Sequence, residues 1–182
     1  MDLRRTLLLF SFIFTGSLAI AQPKGRWTIQ DGGAIRWSIN DNIPHDDHLE
    51  MSGQQLSVVL RYGVDAQKRF HLNRSLVFPM LRMHPNKTQN NLKQRFDVNI
   101  PALVTVDDQT LLNEEVRDVT FNGIMRVESS FGYIYRRKEL KDAVQLTRVL
   151  YPSTNAAHYC EEYTFKNSSP NQITLRVPEW NL

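Results

Sequence analysis

The chain has 182 residues, with 22 lysines and arginines against 19 aspartates and glutamates and a formal net charge of +3. Its basic residues are scattered among acidic ones instead of forming a block, which argues against a nucleic-acid-binding surface. Cys160 is the single cysteine, so an intrachain disulfide is excluded and packing alone must hold the fold.

The first residues predict a secretory signal peptide. Arg4 and Arg5 precede an apolar run over 7–18, and small residues up to Ala21 follow that run. The apolar run is shorter than the roughly 20 residues that a membrane-spanning helix needs. We therefore expect residues 1–21 to be removed on export, residues 22–182 to form one domain, and the protein to be periplasmic or secreted.

The next residues predict a series of short strands. The segments Trp27–Ile29 and Ile35–Ile39 flank Asp31-Gly32-Gly33, a composition typical of a hairpin turn. Later segments alternate apolar and polar residues, which is the pattern of a half-buried strand. These segments cover residues 56–62, 70–78, 94–100, 116–121, 123–128, 132–137, 143–151, 159–166 and 173–177.

Turn-forming residues separate the predicted strands. The sequence predicts turns at Asn122-Gly123, Phe131-Gly132 and Lys141-Asp142, and a hairpin loop over 167–171 that joins the last two strands. Only residues 107–116 predict a helical turn, and the mature chain shows no sustained 3.6-residue apolar period. The sequence therefore predicts an all-β fold, an antiparallel β-sandwich with no sustained helix after the signal peptide.

The densest group of potential metal ligands comes early in the mature chain and consists of His45, Asp46, Asp47, His48 and Glu50. In a strand, His48 and Glu50 would face one side and Asp47 the other, so the five side chains would not converge on one ion. In a loop, His45, Asp47 and the distant His84 would still be able to form a zinc site. The alternative is a turn whose aspartates accept backbone hydrogen bonds.

Acidic residues also raise the question of glycoside hydrolysis, in which two carboxyl groups lie about 5–10 Å apart. The acids available for such a pair are Asp46, Asp47, Glu50, Glu161 and Glu162. Spacing along a sequence establishes no pair across a sandwich, so surface exposure is the simpler expectation. The sequence has no glycine-rich phosphate loop and no Gly-x-Ser-x-Gly motif, which argues against nucleotide chemistry and acyl transfer.

Three arginines interrupt otherwise apolar predicted strands, namely Arg74, Arg82 and Arg148. A buried charge is unfavourable unless it is paired, so we expect ion pairs inside the sandwich, and the alternative is that these arginines face a partner domain.

Aromatic residues also have two possible roles. We expect these aromatic side chains to lie in the core, and the alternative is that they stack on a sugar ring. The residues are Trp27, Trp37, Tyr133, Tyr135 and Trp180.

Several short motifs together resemble a known family. They are Trp27-Thr28-Ile29, Ile35-Arg36-Trp37, Ile43-Pro44-His45, Glu50-Met51-Ser52-Gly53, the segments 60–65 and 78–82, Pro85-Asn86, and the segments 148–153 and 162–167. These motifs resemble the N-terminal β-sandwich, part of a supersandwich, of bacterial exported six-hairpin glycosidases, which are relatives of the α-L-rhamnosidases. The resemblance covers nearly all of the mature chain.

The resemblance implies that an (α/α)6 helical toroid follows the sandwich and carries most of the catalytic groups. This chain lacks the toroid and ends directly after a predicted strand, so we expect a domain truncated at its C-terminus, with no catalytic residue, metal or cofactor of its own. The loops 44–53 and 82–86 are implied to face the toroid and the rim of its sugar site. The implied carbohydrate or inter-domain contacts are His45, Asp46, Asp47, Glu50, Arg82, His84 and Asn86.

Three hypotheses follow from the sequence. The first is a non-catalytic sandwich of an exported glycoside hydrolase that degrades polysaccharide, with carbohydrate and the absent toroid as partners. The second is a free-standing carbohydrate-binding module, which requires an exposed aromatic platform. The third is a small metal-dependent enzyme built on His45, Asp47, His48 and His84.

Overall fold

The computed structural model of the protein describes residues 26–82 and 91–179, and along 79–82 and 91–93 it describes the strands without their side chains. These residues form strands and one short 3-10 helix, Ile100–Leu103. In chain order the strands are β1 (Trp27–Ile29), β2 (Ile35–Ser38), β3 (His45–Ser52), β4 (Ser57–Val64), β5 (Phe70–Arg82), β6 (Asn91–Phe96), β7 (Thr105–Val106), β8 (Gln109–Thr110), β9 (Leu112–Phe121), β10 (Met125–Tyr135), β11 (Lys138–Pro152), β12 (Tyr159–Asn167) and β13 (Leu175–Arg176).

The strands form three sheets in which every pair of neighbours is antiparallel. The largest sheet has six strands in the order β1-β2-β9-β10-β11-β12, and a second sheet has four in the order β3-β4-β5-β6. A small third sheet has the order β13-β7-β8. In the part of the chain that the structure describes, no helix has the length and apolar character that a membrane crossing needs.

The main core lies between the six-stranded and the four-stranded sheets. Trp37 and Val119 come from the first of these sheets, whereas Val58 and Leu60 come from the second, and all four side chains are buried. Burial of each such aliphatic side chain contributes about 1.5–3 kcal/mol to stability. Because two antiparallel sheets bury their facing surfaces against each other, the predicted all-β sandwich is confirmed.

A second core cluster extends the sandwich at the far end of the central strands. Tyr133 of β10 and Leu146 of β11 pack there with Val106 of β7, which belongs to the three-stranded sheet. The small sheet therefore covers the part of the six-stranded sheet that the four-stranded sheet does not reach.

Two predicted turns are wrong because the strands run through them. β10 continues across Phe131-Gly132, where the pairing with β11 shifts its register, and β11 continues across Lys141-Asp142. The reversal lies instead at Arg136 and Arg137, whose φ angles are 49° and 67°. Positive φ at two successive residues is the geometry of a type I′ hairpin turn, so two ordinary residues adopt the conformation that glycine usually supplies.

Two further predictions about connections are wrong. Residues 107–116 contain β8 and the start of β9 rather than a helical turn, which lies at Ile100–Leu103 instead. The last described strand does not form a hairpin with β12, since Leu175 pairs with Val106 of β7. Ser169 donates backbone and side-chain hydrogen bonds to Asn167 Oδ1. These bonds form a local loop at the end of β12, where the chain leaves the six-stranded sheet.

The segment 44–53 is mostly a strand and not the predicted loop. β3 pairs with β4 along its whole length, from the pair His45 and Val64 to the pair Ser52 and Ser57. Leu49 and Met51 alternate with polar neighbours and pack against the core, which is why a segment rich in charge forms a strand. β3 is also the edge of the four-stranded sheet.

Candidate functional site

Strand β3 divides its polar residues between two faces, as alternation predicts. Val64 and Tyr62, which pair with His45 and Asp47, are core residues of β4, so these two polar side chains share the inner face. His45 Nε2 lies 3.7 Å from an Asp47 carboxylate oxygen, and the His45 ring meets Trp37 edge-on at 4.9 Å between ring centroids. The ring therefore packs as a partly buried aromatic group.

Asp46, His48 and Glu50 lie on the outer face of the same strand and are exposed. Over residues 26–82 and 91–179, no three His, Cys, Asp or Glu side chains come together in a group that would hold a metal ion. Acidic and histidine residues that alternate along one strand are kept apart by the sheet itself. Within the described ranges, the dense run of potential ligands in the sequence thus does not form a ligand cluster.

An unpredicted contact joins Asp46 to His71 on the outer face of the four-stranded sheet. Their Oδ1 and Nε2 atoms are 2.6 Å apart, and the two residues lie on either side of Gly63 in the central strand β4. A Cβ atom at Gly63 would overlap both side chains, so only glycine permits this bridge in its present geometry. Both partners are at least half exposed, and such a pair contributes little to stability.

Some predicted contacts lie outside the part of the chain that can be described. Arg82 is the last residue of β5, but its side chain is not described. His84 and Asn86 lie in the undescribed segment 83–90, and Trp180 lies beyond residue 179. The proposed convergence of His84 with His45 and Asp47 therefore stays a prediction, as does the signal peptide over residues 1–21.

Aromatic residues occupy the core, as expected. Trp37 and Tyr133 are buried, and Trp27 packs against the main core at 5.6 Å between its ring centroid and that of Trp37. Tyr135 packs against the second cluster. Among the described residues, no Trp, Tyr or Phe is classed as exposed, so these residues supply no aromatic platform.

Arg74 is one of two buried arginines, and its guanidinium group is fully hydrogen-bonded. Nε and Nη2 donate to the two carboxylate oxygens of Glu161 on β12, and Nη2 also donates to Tyr163 Oη. Nη1 donates to the carbonyl oxygens of Val98 and Leu72. The expected ion pair inside the sandwich is confirmed, and it connects the four-stranded sheet to the edge of the six-stranded sheet.

Burial and the charge of Glu161 have opposite effects on the pKa of Arg74. Burial alone would lower the pKa of Arg74, but the hydrogen bonds and negative charge of Glu161 outweigh it, so the pKa is raised. Burial and the same carboxylate raise the pKa of Tyr163. Arg74 therefore stays charged and Tyr163 stays neutral, and the phenol donates to a Glu161 oxygen at 2.6 Å.

Arg148 is the second buried arginine, and it has fewer partners. Its Nη2 lies 2.6 Å from Glu114 Oε1, an ion pair that confirms the expectation from the sequence. Glu114 Oε1 accepts no aligned hydrogen bond from the described residues, so this contact is a close ion pair. Nη1 donates to Ser129 Oγ at 3.0 Å, and the Phe70 ring covers the guanidinium group at 5.2 Å.

Three adjoining cavities line the end of the sandwich beside these arginines. A cleft of about 560 Å³ and a second of about 360 Å³ share Arg69, Asn113 and Glu114 in their walls. A third cavity of about 200 Å³ shares Phe70 with the second and reaches Arg74 and Arg148. The sequence indicated the two arginines as misfits in apolar strands, but it contained no signal for Glu114 as the partner.

Hydrogen bonds fix the polar walls of the largest cleft. Asn113 Nδ2 donates to Glu139 at 2.6 Å, and Arg117 Nη2 donates to Asp142 at 3.0 Å. Hydrogen bonds from Ser130 and Arg117 lower the pKa of Asp142. Two acids of this cleft, Glu139 and Asp142, are therefore each held by a neighbouring donor.

An apolar strip lies on the opposite side of the sandwich. It consists of Ile29, Ile35, Leu49, Phe121 and Ile124. Ile29 is 82% exposed and Ile35 is 44% exposed, although both lie on the inner face of the six-stranded sheet with Trp37. Both side chains lie on β1 and β2, the two outermost strands at one edge of the six-stranded sheet.

The members of the strip are neighbours in the fold. Ile29 pairs with Ile35, and Ile35 pairs in turn with Phe121 of β9. Phe121, Leu49 and Ile124 line one groove of about 350 Å³ between β3 and the six-stranded sheet. An uncovered apolar surface of this kind is typical of an interaction site.

Comparison of the chain with protein-family models, curated proteins and solved structures finds no match. The resemblance to six-hairpin glycosidases therefore remains a hypothesis. The structure itself supplies a β-sandwich with a polar end that contains two buried arginines and with an uncovered apolar strip at one side.

Proposed function

We propose that this chain is the non-catalytic β-sandwich of an exported glycoside hydrolase that degrades polysaccharide, and that it scaffolds a helical-toroid catalytic domain. The observation that carries the proposal is the apolar strip. Ile29 and Ile35 are exposed and continuous with Phe121, and a contiguous apolar surface is typical of an interaction site. Covering Ile29 with another domain would contribute up to about 1.5–3 kcal/mol, and covering Ile35, which is only 44% exposed, would contribute about half as much.

Two of the polar residues that the family resemblance points to, Asp47 and Glu50, lie beside this strip. Leu49 belongs to the strip and lies on β3 between Asp47 and Glu50, so a domain seated on the strip would also lie beside these acids. We therefore keep the polar residues of β3, with Arg82, His84 and Asn86, as the proposed inter-domain or carbohydrate contacts. His45 and Asp46 complete this set.

A platform-type carbohydrate-binding module is less well supported. Such a module stacks sugar rings on exposed aromatic side chains. The aromatic residues within 26–82 and 91–179 are buried or partly buried, and the exposed large hydrophobic residues there are aliphatic. Because the aromatic residues pack inside the sandwich instead of forming a platform, the inter-domain hypothesis is the better supported one.

Reconstitution with a catalytic domain tests the proposal. The genomic DNA beside this chain is searched for a helical-toroid domain, and a domain found there is produced separately, mixed with the purified chain and examined by size-exclusion chromatography and by turnover of aryl glycosides. We expect no turnover by the chain alone and a complex with the helical domain. A genome that encodes no such domain there, or hydrolysis by the chain alone that is lost on mutating one acid, overturns the proposal.

Variants of the strip sharpen that test. We expect Ile29→Asp and Ile35→Asp to abolish the complex while the isolated chain keeps its fold, because both side chains are already exposed in it. Val177→Asp is the matched control, since Val177 is 54% exposed but does not belong to the strip. A complex that survives both isoleucine substitutions would show that the strip is not the docking surface.

A further inference from the structure

We infer that the cavity of about 200 Å³ at the polar end of the sandwich binds the carboxylate of a uronic acid, with Arg148 as its anchor. The inference rests on the proposed function for the sugar, and on the structure for the carboxylate. Buried arginines form the inner wall of this cavity, whereas the exposed residues Asn73, Asp97 and Asn99 contribute the outer wall. The cavity therefore runs from solvent to a buried positive charge.

The counter-charges of the arginines do not line this cavity. Glu114 forms part of the two neighbouring clefts, and Glu161 lines none of these three cavities. The charged side chains that do line it are Arg74, Arg148 and Asp97, together with the titratable His71. Glu114 and Glu161 compensate the two arginines from outside this wall, so Arg148 presents N–H donors rather than a net positive charge to the cavity, and such donors favour a ligand that accepts hydrogen bonds, such as a carboxylate.

Arg148 also has hydrogen-bonding capacity to spare. A guanidinium group has five N–H donors, and the contacts of Arg148 with described residues involve one on Nη1 and one on Nη2. Arg148 is only 3% exposed, and its side chain forms part of a cavity that opens to solvent, so a ligand there competes with water for the unused donors. Arg74 differs, because its five hydrogen bonds leave no donor unused.

The shape and chemistry of the remaining wall favour a carboxylate attached to a sugar. Carboxylates match the planar fork of a guanidinium group and accept two parallel hydrogen bonds from it. Asn73 and Asn99 carry amide groups, which donate to and accept from hydroxyl groups. The volume suits a single sugar ring, and Asp97 opposes a doubly charged phosphate more strongly than a singly charged carboxylate.

Titration calorimetry on the whole chain tests the site, with D-galacturonate and D-glucuronate as probes at neutral pH. D-galactose, D-glucose and inorganic phosphate are the controls. We expect binding of a uronate and none of the neutral sugars. Equal binding of acid and neutral sugar, tighter binding of phosphate, or no binding of either uronate overturns the inference.

A charge variant keeps the test independent of folding. Asp97 is exposed, and replacing it by Asn removes a like charge from the cavity wall, so we expect Asp97→Asn to tighten uronate binding about threefold at low salt. Asp31→Asn makes the same charge change in the turn beside β1, at the opposite edge of the six-stranded sheet from β12, and should leave the affinity unchanged. Equal effects of the two variants would contradict a local site.

The outcome also separates this inference from the proposed function. The binding measurement needs no catalytic domain, so uronate binding without a neighbouring helical domain leaves the site intact and removes the scaffold proposal. A reconstituted hydrolase whose sandwich binds no uronate supports the scaffold proposal and overturns the uronate site.

Discussion

Arg74 and Arg148 have similar surroundings, but their guanidinium groups make different numbers of hydrogen bonds. Each is 3% exposed, each pairs with a glutamate on another strand, and each guanidinium group lies 5.2 Å from a phenylalanine ring. Arg74 donates five hydrogen bonds to fixed partners, whereas Arg148 has a close ion pair without an aligned hydrogen bond and one hydrogen bond to a hydroxyl group.

This difference separates a structural charge from one that retains binding capacity. A buried charge adds to stability only when all of its hydrogen bonds are made, and a partly satisfied group remains open to another partner. The Arg74 network therefore ties β5 to β12, while Arg148 carries unused donors beside a cavity. The comparison predicts unequal costs when the two glutamates are changed.

The largest effect is expected for Glu161→Gln. It removes the charge that compensates buried Arg74, and we expect it to lower the free energy of unfolding by about 3–5 kcal/mol in urea denaturation. Glu162→Gln is the matched control, because the neighbouring Glu162 is exposed and pairs only with the Tyr151 hydroxyl among the described contacts. A cost below 1 kcal/mol for Glu161→Gln would mean that the Arg74 network is not structural.

A smaller effect is expected for Glu114→Gln. Arg148 faces a cavity that can admit water, and its contact with Glu114 is a close ion pair without an aligned hydrogen bond, so we expect a loss of about 2 kcal/mol in the same assay. A loss equal to that of Glu161→Gln would remove the distinction between the two arginines. Glu115→Gln, at the next and exposed residue, serves as the control.

The smallest effect concerns a partly exposed pair on the outer face of the six-stranded sheet. Hydrogen bonds from Arg36 and Ser38 lower the pKa of Asp118. A carboxylate with a lowered pKa stabilises the fold above its unfolded pKa of about 4, and this stabilisation is lost as the pH falls through the folded value.

We therefore expect Asp118→Asn to cost about 1 kcal/mol at neutral pH, because Arg36 is 43% exposed and solvent weakens the pair. In urea denaturation followed against pH, the difference from the wild-type protein should decrease as the pH falls below the unfolded pKa of about 4 and vanish below the lowered folded pKa. A difference that is independent of pH would show that shape rather than charge stabilises this contact.

Local alternation predicted much of the fold and the placement of the β3 side chains. The period of two identified the sandwich, placed His48 and Glu50 opposite Asp47, and marked Arg74 and Arg148 as buried charges in need of acids. Each of these conclusions depends on which face of a strand a residue occupies, and a sequence displays that directly.

Long-range pairing was not predictable in the same way. Glu161 lies 87 residues from Arg74 along the chain, and its role follows from the order of strands in two sheets. The bulge at Phe131-Gly132 and the transfer of β13 to the small sheet depend on pairing partners rather than on local preference. Exposure of the apolar strip likewise depends on the place of β1 and β2 at one edge of the six-stranded sheet.

The claim that Arg148 retains binding capacity is tested most directly by a crystal structure of the chain soaked with D-galacturonate. We predict that the carboxylate lies within hydrogen-bond distance of Arg148 in the cavity of about 200 Å³, while Arg74 keeps its five hydrogen bonds unchanged. An empty cavity, or a ligand bound only at the outer-face pair of Asp46 and His71, would contradict it.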